Sequence, residues 1–453
     1  MSRSFLNRLQ LLFSDPDQAL EDHELGHVPQ SDRKSVLSLI PVWLGFLSAP
    51  DIILAATTVA LVSSFEVYIA GLLVGLLLVS GVATIMGIIG QRTGLSTYML
   101  YRRFFGKYGA KLPVSILLIT RVGWNAVETI VAAEAMLLVW TFIGMEANVL
   151  ATILAVVLAF TAFFGYDGLD FVSRFTIPAL VLTFGAAGYA IVANGGLADI
   201  MAFTPAASDR LPFTAIVSLV FAIWVSGTSL SADIVRYAKS DRDVVVANYG
   251  SIVPSQLFMF VLAGAVGLVT GYSNPALGIA EILGGFGAFA LFLAGWTTVD
   301  NQYYSAGLAA SELTNRHKAP LLVGIVAVTA VLSFADLTQV ITQWLVLIGV
   351  AVPPLVGVVF ADYFLLGTRF PEIETRSIQS VEEPVNPAAI IAWVAGAGIA
   401  QVSPLAYMPP LLGLLSASLV YIGVRKLSDV ADLPLYKAPD GSSAPTVAPT
   451  DDD

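Results

Sequence analysis

Apolar residues occur in this chain as long continuous runs, and polar residues as short interruptions between them. Most runs are about 18–25 residues long, the length that carries a helix across a bilayer. They are apolar all round, without the period-two alternation of a barrel strand, so they read as helices. Twelve spans result, near 36–60, 67–90, 112–140, 149–165, 171–193, 213–235, 250–272, 281–311, 319–334, 338–361, 387–403 and 407–424. The longest connections, 91–111, 194–212, 236–249 and 362–386, leave no room for a separate soluble domain. Residues 1–35 form an N-terminal tail. Residues 425–453, ending YKAPDGSSAPTVAPTDDD, form an acidic tail whose composition predicts disorder.

Composition fits this pattern. Of 453 residues, 57% are hydrophobic and only 12% charged, whereas soluble domains carry about a quarter charged residues. The opening stretch MSRSFLNRLQLLFSDPDQALEDHE has neither the clean apolar core nor the cleavage site of a signal peptide, so it is expected to stay where it is made. Basic residues orient the spans. If both termini are cytoplasmic, 20 of the 22 lysines and arginines fall in inner tails, inner loops and adjoining helix ends. The outer loops hold Arg210 alone, and Arg121 lies within a span. Basic loops resist translocation, so this bias predicts a multi-pass inner (plasma) membrane protein with both ends in the cytoplasm. The net charge is −11, much of the acid lies in the predicted soluble parts (residues 1–35, 366–386 and the last 29), and that balance disfavours nucleic acid as a partner.

Two spans carry backbone unsuited to a continuous helix. Span 1 reads PVWLGFLSAPDIILAATT, and its Pro50 removes a backbone donor and crowds the preceding turn. Ser48 and Asp51 beside it are residues that favour helix starts. Span 6 reads VFAIWVSGTSLSADIVRY, with Ser226-Gly227-Thr228-Ser229 in its middle. Unwound backbone at membrane depth is tolerated where it lines a cavity or is buried in protein. The two breaks lie five spans apart, which points to an inverted repeat with substrate at the interface of its halves. The halves would be 36–193 and 213–365, followed by two further spans within 387–424.

Span 3 contains RVGWNAVE, residues 121–128. At 100° per residue, Arg121, Trp124 and Glu128 share one helix face. A charge at the bilayer centre costs about 2.5–3.5 kcal/mol on insertion scales, and such residues usually face the bundle interior and are paired. This face therefore lines a site. Asp51 and Asp300 are the acids available to balance Arg121 from other spans. One reading is a permanent ion pair beside a neutral ligand. The other leaves part of the charge to the ligand or a coupling ion. Asp51 could also simply cap a helix that starts after Pro50. Asp233, Arg236 and Asp362, at span ends, read as structural caps and ion pairs, and Glu134 points away from the Arg121 face.

Six blocks together resemble one family. They are HVPQSDRKSVLSL before span 1, GIIGQRTGLSTYMLYRRFFG after span 2, TRVGW in span 3, SGTSLSADIVRYAKS in span 6, WTTVDNQYYSAGLAASELT in span 8 and AVPPLVGVVFADYFL in span 10. In this order, from about residue 27 to 424, the chain resembles the nucleobase-cation-symport-1 family, and most of all its bacterial cytosine-transporting members. The resemblance implies an all-α, leucine-transporter-like fold of two inverted five-helix repeats plus two C-terminal helices. It implies uptake of a nucleobase or related planar heterocycle together with sodium or a proton. It places Trp124 and Trp224 on the two faces of the ligand and Ser226 at its polar edge. It places Thr297 and Thr298 at a cation site completed by carbonyls near Ser48 and Ala49. Apart from the resemblance, Asp300 is the acid of span 8 that would join this cation site, binding sodium or carrying a proton. Flat indoles suit such a ring, and hydroxyl and carbonyl oxygens suit a hard cation.

The chain departs from that pattern in three places. Arg121 stands where the cytosine-transporting members are expected to carry Gln, Val299 where they carry Asn, and Asp51 where relatives are generally uncharged. Val299 offers no side-chain hydrogen bond, so one contact to cytosine is missing. Charged heterocycles and hydantoin-, allantoin- or hydroxypyrimidine-like compounds are therefore alternative substrates.

Other classes fit less well. The chain has no cysteine, and its three histidines, His23, His27 and His317, lie in predicted tails or loops. It has no Walker-type phosphate loop, so ATP-driven transport is disfavoured. An intramembrane hydrolase built on Asp51 and Asp300, or a channel or receptor, has no sequence feature in its favour. No cofactor and no obligate protein partner are implied beyond the coupling ion, the heterocycle and the bilayer.

Overall fold

A computed structural model describes residues 23, 26–47, 56–57, 59–193, 196–272, 275–335, 341–367 and 384–431. Among these the structure is helical, with one isolated bridge between Lys34 and Ala238. Span 1 begins as α1 (Val36–Leu47), and helix recurs at 56–57 and 59–61. The expected break at Pro50, with Ser48, Ala49 and Asp51, lies outside the described residues. Spans 2 and 3 are α2 (Phe65–Thr93) and α4 (Lys111–Val139).

Between them the structure inserts α3 (Thr97–Phe105), where the sequence suggested only a connection. Ser96 caps it by accepting from the Met99 amide, and Tyr98, Leu100, Tyr101, Phe104 and Phe105 are buried. Nine residues with two arginines are too short and too basic to show as a span, yet they can bury one face against the bundle.

Span 4 is α5 (Ala147–Val157) extended by a 3₁₀ turn at Thr161–Phe164, and span 5 is α6 (Tyr166–Ala193). A short α7 (Gly196–Ala202) follows. Span 6 is broken as its composition predicts. α8 (Phe213–Thr228) ends inside the Ser/Gly/Thr run, and α9 (Ser231–Val235) resumes after Ser229 and Leu230. Span 7 is α10 (Asp241–Thr270), which starts earlier than its apolar run because Ser240 caps the Asp243 amide. Span 8 divides at Gly284, which has φ of 58°, into α11 (Pro275–Leu283) and α12 (Gly285–Thr314).

The ninth predicted span is covered by α13 (Lys318–Phe334), which leaves α12 at 116° after the turn Asn315–His317. Span 10 is α14 (Ile341–Ala351) and α15 (Pro353–Phe360). The last two spans are α16 (Pro387–Val402) and α17 (Pro409–Ala431).

Close helix approach depends on small residues, because apolar surface gains nothing by leaving lipid. Gly71 and Gly75 of α2 show this. A Cβ on either would come within 2.7 Å of Ile216 or Val220 on α8. That contact fixes α8, and hence its broken end, against α2. At the centre α4 runs along α12, and α1 packs on α6 and α10. The C-terminal ends of α1 and α8 and the middles of α4 and α12 thus meet at one place.

Candidate functional site

That place is a cavity of about 20 Å³, lined by Phe46 of α1, Arg121, Trp124 and Glu128 of α4, Trp224 and Ser226 of α8, and Thr298 and Gln302 of α12. The volume holds about one water molecule, so a heterocycle enters only if these side chains move apart. On α4, Arg121 and Glu128 are both buried and form one wall with Trp124. Trp224 and Ser226 face them from the last turn of α8. The Arg121 Nη2 donates to Ser226 Oγ at 3.0 Å and bridges the two walls. Phe46 meets Trp224 edge-on, with ring centroids 6.1 Å apart at 70°, and holds the indole in place.

Thr298 and Gln302 are i and i+4 on α12, so one helix face supplies a hydroxyl and an amide to the third wall. Thr297 looks elsewhere. A Cβ placed on Gly45 of α1 would come 3.3 Å from Thr297 Cβ and 2.6 Å from Ser173 Oγ on α6. Thr297, Ser173 and the last turn of α1 therefore converge, and the buried Ser173 hydroxyl makes no hydrogen bond among the described residues. At the end of α1, the Leu47 carbonyl accepts from Gln256 Nε2 of α10 at 2.7 Å. This donor set is hydroxyl and carbonyl oxygen, which suits a hard cation.

Asp300 does not line the cavity. It is fully buried on the side of α12 that meets the 3₁₀ turn, beside Thr161, whose hydroxyl accepts from Trp296 Nε1 at 3.1 Å. Of the residues singled out from sequence, the structure brings together Arg121, Trp124, Glu128, Trp224, Ser226 and Thr298. It puts Thr297 one position round α12 and Asp300 on another face. Phe46, Gln302 and Ser173 went unnoticed. Gln302 could have been found, since it is one turn from Thr298 on a helix already assigned to the site.

The residues read as structural are engaged at the bundle end near the N-terminal segment. Asp233 accepts from the Thr97 amide at 2.8 Å and from Ser305 Oγ at 2.6 Å. Arg236 donates to Tyr304 Oη at 2.8 Å. Arg33 donates to the carbonyls of Gln91 and Ala238, at 2.7 and 3.0 Å, and so joins the N-terminal segment to α2 and to the chain after α9. Asp362 accepts from Tyr421 and Arg425, each at 2.8 Å.

A broken helix between packed helices, with two tryptophans and a buried arginine around a central cavity, suits a membrane transporter. The fold matches Mhp1, a nucleobase-cation-symport-1 family transporter, in a closed conformation with bromovinylhydantoin bound, with a TM-score of 0.80 at 19% identity, over 92% of this chain and 98% of that one. The inward-facing conformation of Mhp1 matches with a TM-score of 0.77 over 92% of this chain and 96% of that one, at 18% identity. Residues 27–415 match the family model "Permease for cytosine/purines, uracil, thiamine, allantoin", and the chain belongs to that family, the nucleobase-cation-symport-1 transporters. It is 31% identical to the cytosine permease of Escherichia coli strain K12 over 408 residues, 88% of this chain and 92% of that protein. It is 22% identical to the allantoin permease of Bacillus subtilis strain 168 over 91% of this chain and 95% of that protein. Its relatives are permeases and not enzymes.

Proposed function

We propose that the protein imports a planar heterocycle of the nucleobase, hydantoin or allantoin kind across the cell membrane by symport with a cation, through alternating access. The observation that carries this reading is one cavity lined by both Trp124 and Trp224, with Arg121 donating to Ser226 across it. Two indoles supply flat apolar surfaces for a ring, and the guanidinium, Ser226, Glu128 and Gln302 supply donors and acceptors for its edge. The coupling ion sits between Thr297 and Thr298 of α12 and the end of α1, where sodium finds oxygen ligands. Asp51, Ser48 and Ala49 belong to this reading from the sequence alone. The inner termini follow from the lysine and arginine bias.

A second reading, a substrate with a charged edge and not cytosine, is favoured by Arg121 itself. A fixed cation in a buried site binds a ligand that brings negative charge or strong acceptors better than one that does not. The test is uptake of labelled cytosine into proteoliposomes of the purified protein at matched pH, with and without an inward sodium gradient. Sodium-driven accumulation supports the cytosine symporter. No cytosine uptake, but gradient-driven uptake of an anionic heterocycle from a panel, supports the second reading. Equilibration of every ligand without accumulation under any cation gradient would refute symport.

A further inference from the structure

At one end of the bundle, beside the turn that joins α3 to α4, a polar cavity of about 450 Å³ opens between that turn and the end of α12. Arg102, Lys107, Lys111 and Glu312 line it. Arg102 engages Glu312, so that carboxylate is already matched. Lys107 and Lys111 are exposed, and each ammonium lies near the Tyr108 ring, 5.7 and 5.9 Å from its centroid. Among the described residues neither lysine forms a salt bridge. The cavity thus offers two cations to an incoming anion.

A second cavity, of about 630 Å³, begins one helical turn deeper on the same helix pair. Val114 of α4 and Leu313 of α12 border the first cavity, and Leu118 and Ala310 border the second. The deeper cavity is lined by aliphatic side chains, Gly324 and Trp344, and runs along α4 to Val127 and along α13 to Leu332. Ile119 and Val328 on its rim are 57% and 53% exposed, so it opens to the outside of the bundle. From Leu118 to Val127 the helix rises ~14 Å, close to one leaflet of a hydrocarbon core about 30 Å thick.

We propose that the two cavities form one binding site for a phospholipid with an anionic headgroup. The headgroup phosphate lies between Lys107 and Lys111, and an acyl chain fills the groove below. Charge complementarity selects the headgroup, and the continuous apolar wall at leaflet depth selects a lipid over soluble phosphate. Gly123, next to Trp124, is part of the groove wall, so the acyl chain lies against the helix that carries the candidate site.

The experiment uses the full-length protein in nanodiscs of mixed phosphatidylcholine and phosphatidylglycerol, with retained lipid counted by native mass spectrometry after mild delipidation. Wild type should retain phosphatidylglycerol in preference to phosphatidylcholine, and Lys107→Gln with Lys111→Gln should lower that preference by about 5-fold per lysine. Gly324 has open space around it, and Gly324→Phe should block the groove and lower retention of both lipids. Inorganic phosphate and glycerol phosphate, added at the lipid's concentration, should not compete. The proposal is overturned if wild type shows no headgroup preference, if the double variant keeps it, or if Gly324→Phe retains lipid as well as wild type. Competition by free phosphate would reassign the basic cavity to a soluble anion. Retained helical circular dichroism in each variant separates these outcomes from misfolding.

Discussion

Arg121 of α4 donates to Ser226 of α8 at 3.0 Å, in the turn just before α8 gives way to the break at Ser229 and Leu230. A buried charged side chain is thereby fixed to a broken span. The bond joins two walls of the cavity, and any ligand that uses Arg121 must share it with, or take it from, Ser226.

Arg121→Gln should move specificity towards neutral pyrimidines. Hydrogen bonds to charged groups contribute about 1.5–3 kcal/mol, so losing one to a substrate with an acceptor edge should weaken its binding ~10–100-fold. Cytosine affinity should stay level or rise. Competition by unlabelled heterocycles against the transported substrate reads both changes. Equal weakening of every ligand would mean that Arg121 is purely structural.

Trp124→Ala and Trp224→Ala should each weaken binding by the loss of one stacking face. Base-on-aromatic stacking contributes about 1–3 kcal/mol, so the dissociation constant should rise ~5–150-fold, and Phe at either position should recover part of that. Quenching of intrinsic fluorescence by the ligand in detergent measures it. Trp224 has the further support of Phe46, so Phe46→Ala should reproduce a weaker form of the Trp224 defect.

The long helices were legible because a bilayer forces a spanning helix to satisfy its own backbone and to stay apolar for its whole length. The break in span 6 was legible for a related reason, since Ser226 to Ser229 have no place in an apolar helix unless something uses them. α3, α7 and α11 were not, because short helices at the rim follow the bundle surface and not the bilayer. Asp300 was grouped with Thr297 and Thr298 by nearness in sequence, yet it stands about 200° round the helix from Thr298. Counting degrees would have separated them. Ser173 gave no signal at all, as one serine in span 5 acquires meaning only when Gly45 brings α1 against it.

Asp233→Ala should lower stability while sparing the ligand site. It leaves the buried Thr97 amide and Ser305 hydroxyl without their acceptor, and each unsatisfied buried group costs about 1–3 kcal/mol. A lower melting temperature in detergent with near-normal ligand affinity is the expected pair of results. A loss of affinity equal to that of the tryptophan variants would place Asp233 in the binding machinery.

The absence of cysteine makes topology directly testable, because any introduced thiol is a unique reporter. Ser208 and Lys239 are both exposed, in the connections before and after span 6. In intact cells a membrane-impermeant maleimide should label Ser208→Cys, and it should reach Lys239→Cys only after permeabilisation. The opposite pattern would reverse the orientation read from the lysine and arginine bias.

The cation site and Asp300 can be separated by asking which ion each variant stops sensing. Thr297 and Thr298 offer hydroxyls towards the end of α1 and the cavity, while Asp300 is buried against the 3₁₀ turn and has no paired cation among the described residues. If sodium binds at the threonines, Thr297→Ala and Thr298→Ala should each raise the sodium concentration for half-maximal uptake ~2–10-fold, the worth of one neutral oxygen contact. Substrate affinity at saturating sodium should change little. Asp300→Asn should leave sodium dependence unchanged and flatten the pH profile of uptake if the carboxyl carries a proton through the cycle. Should Asp300→Asn instead raise the sodium requirement as the threonine variants do, the acid belongs to the cation site, and the separation of the two faces of α12 has no functional meaning. Uptake measured over a grid of sodium concentration and pH for the three variants decides between these outcomes in one data set.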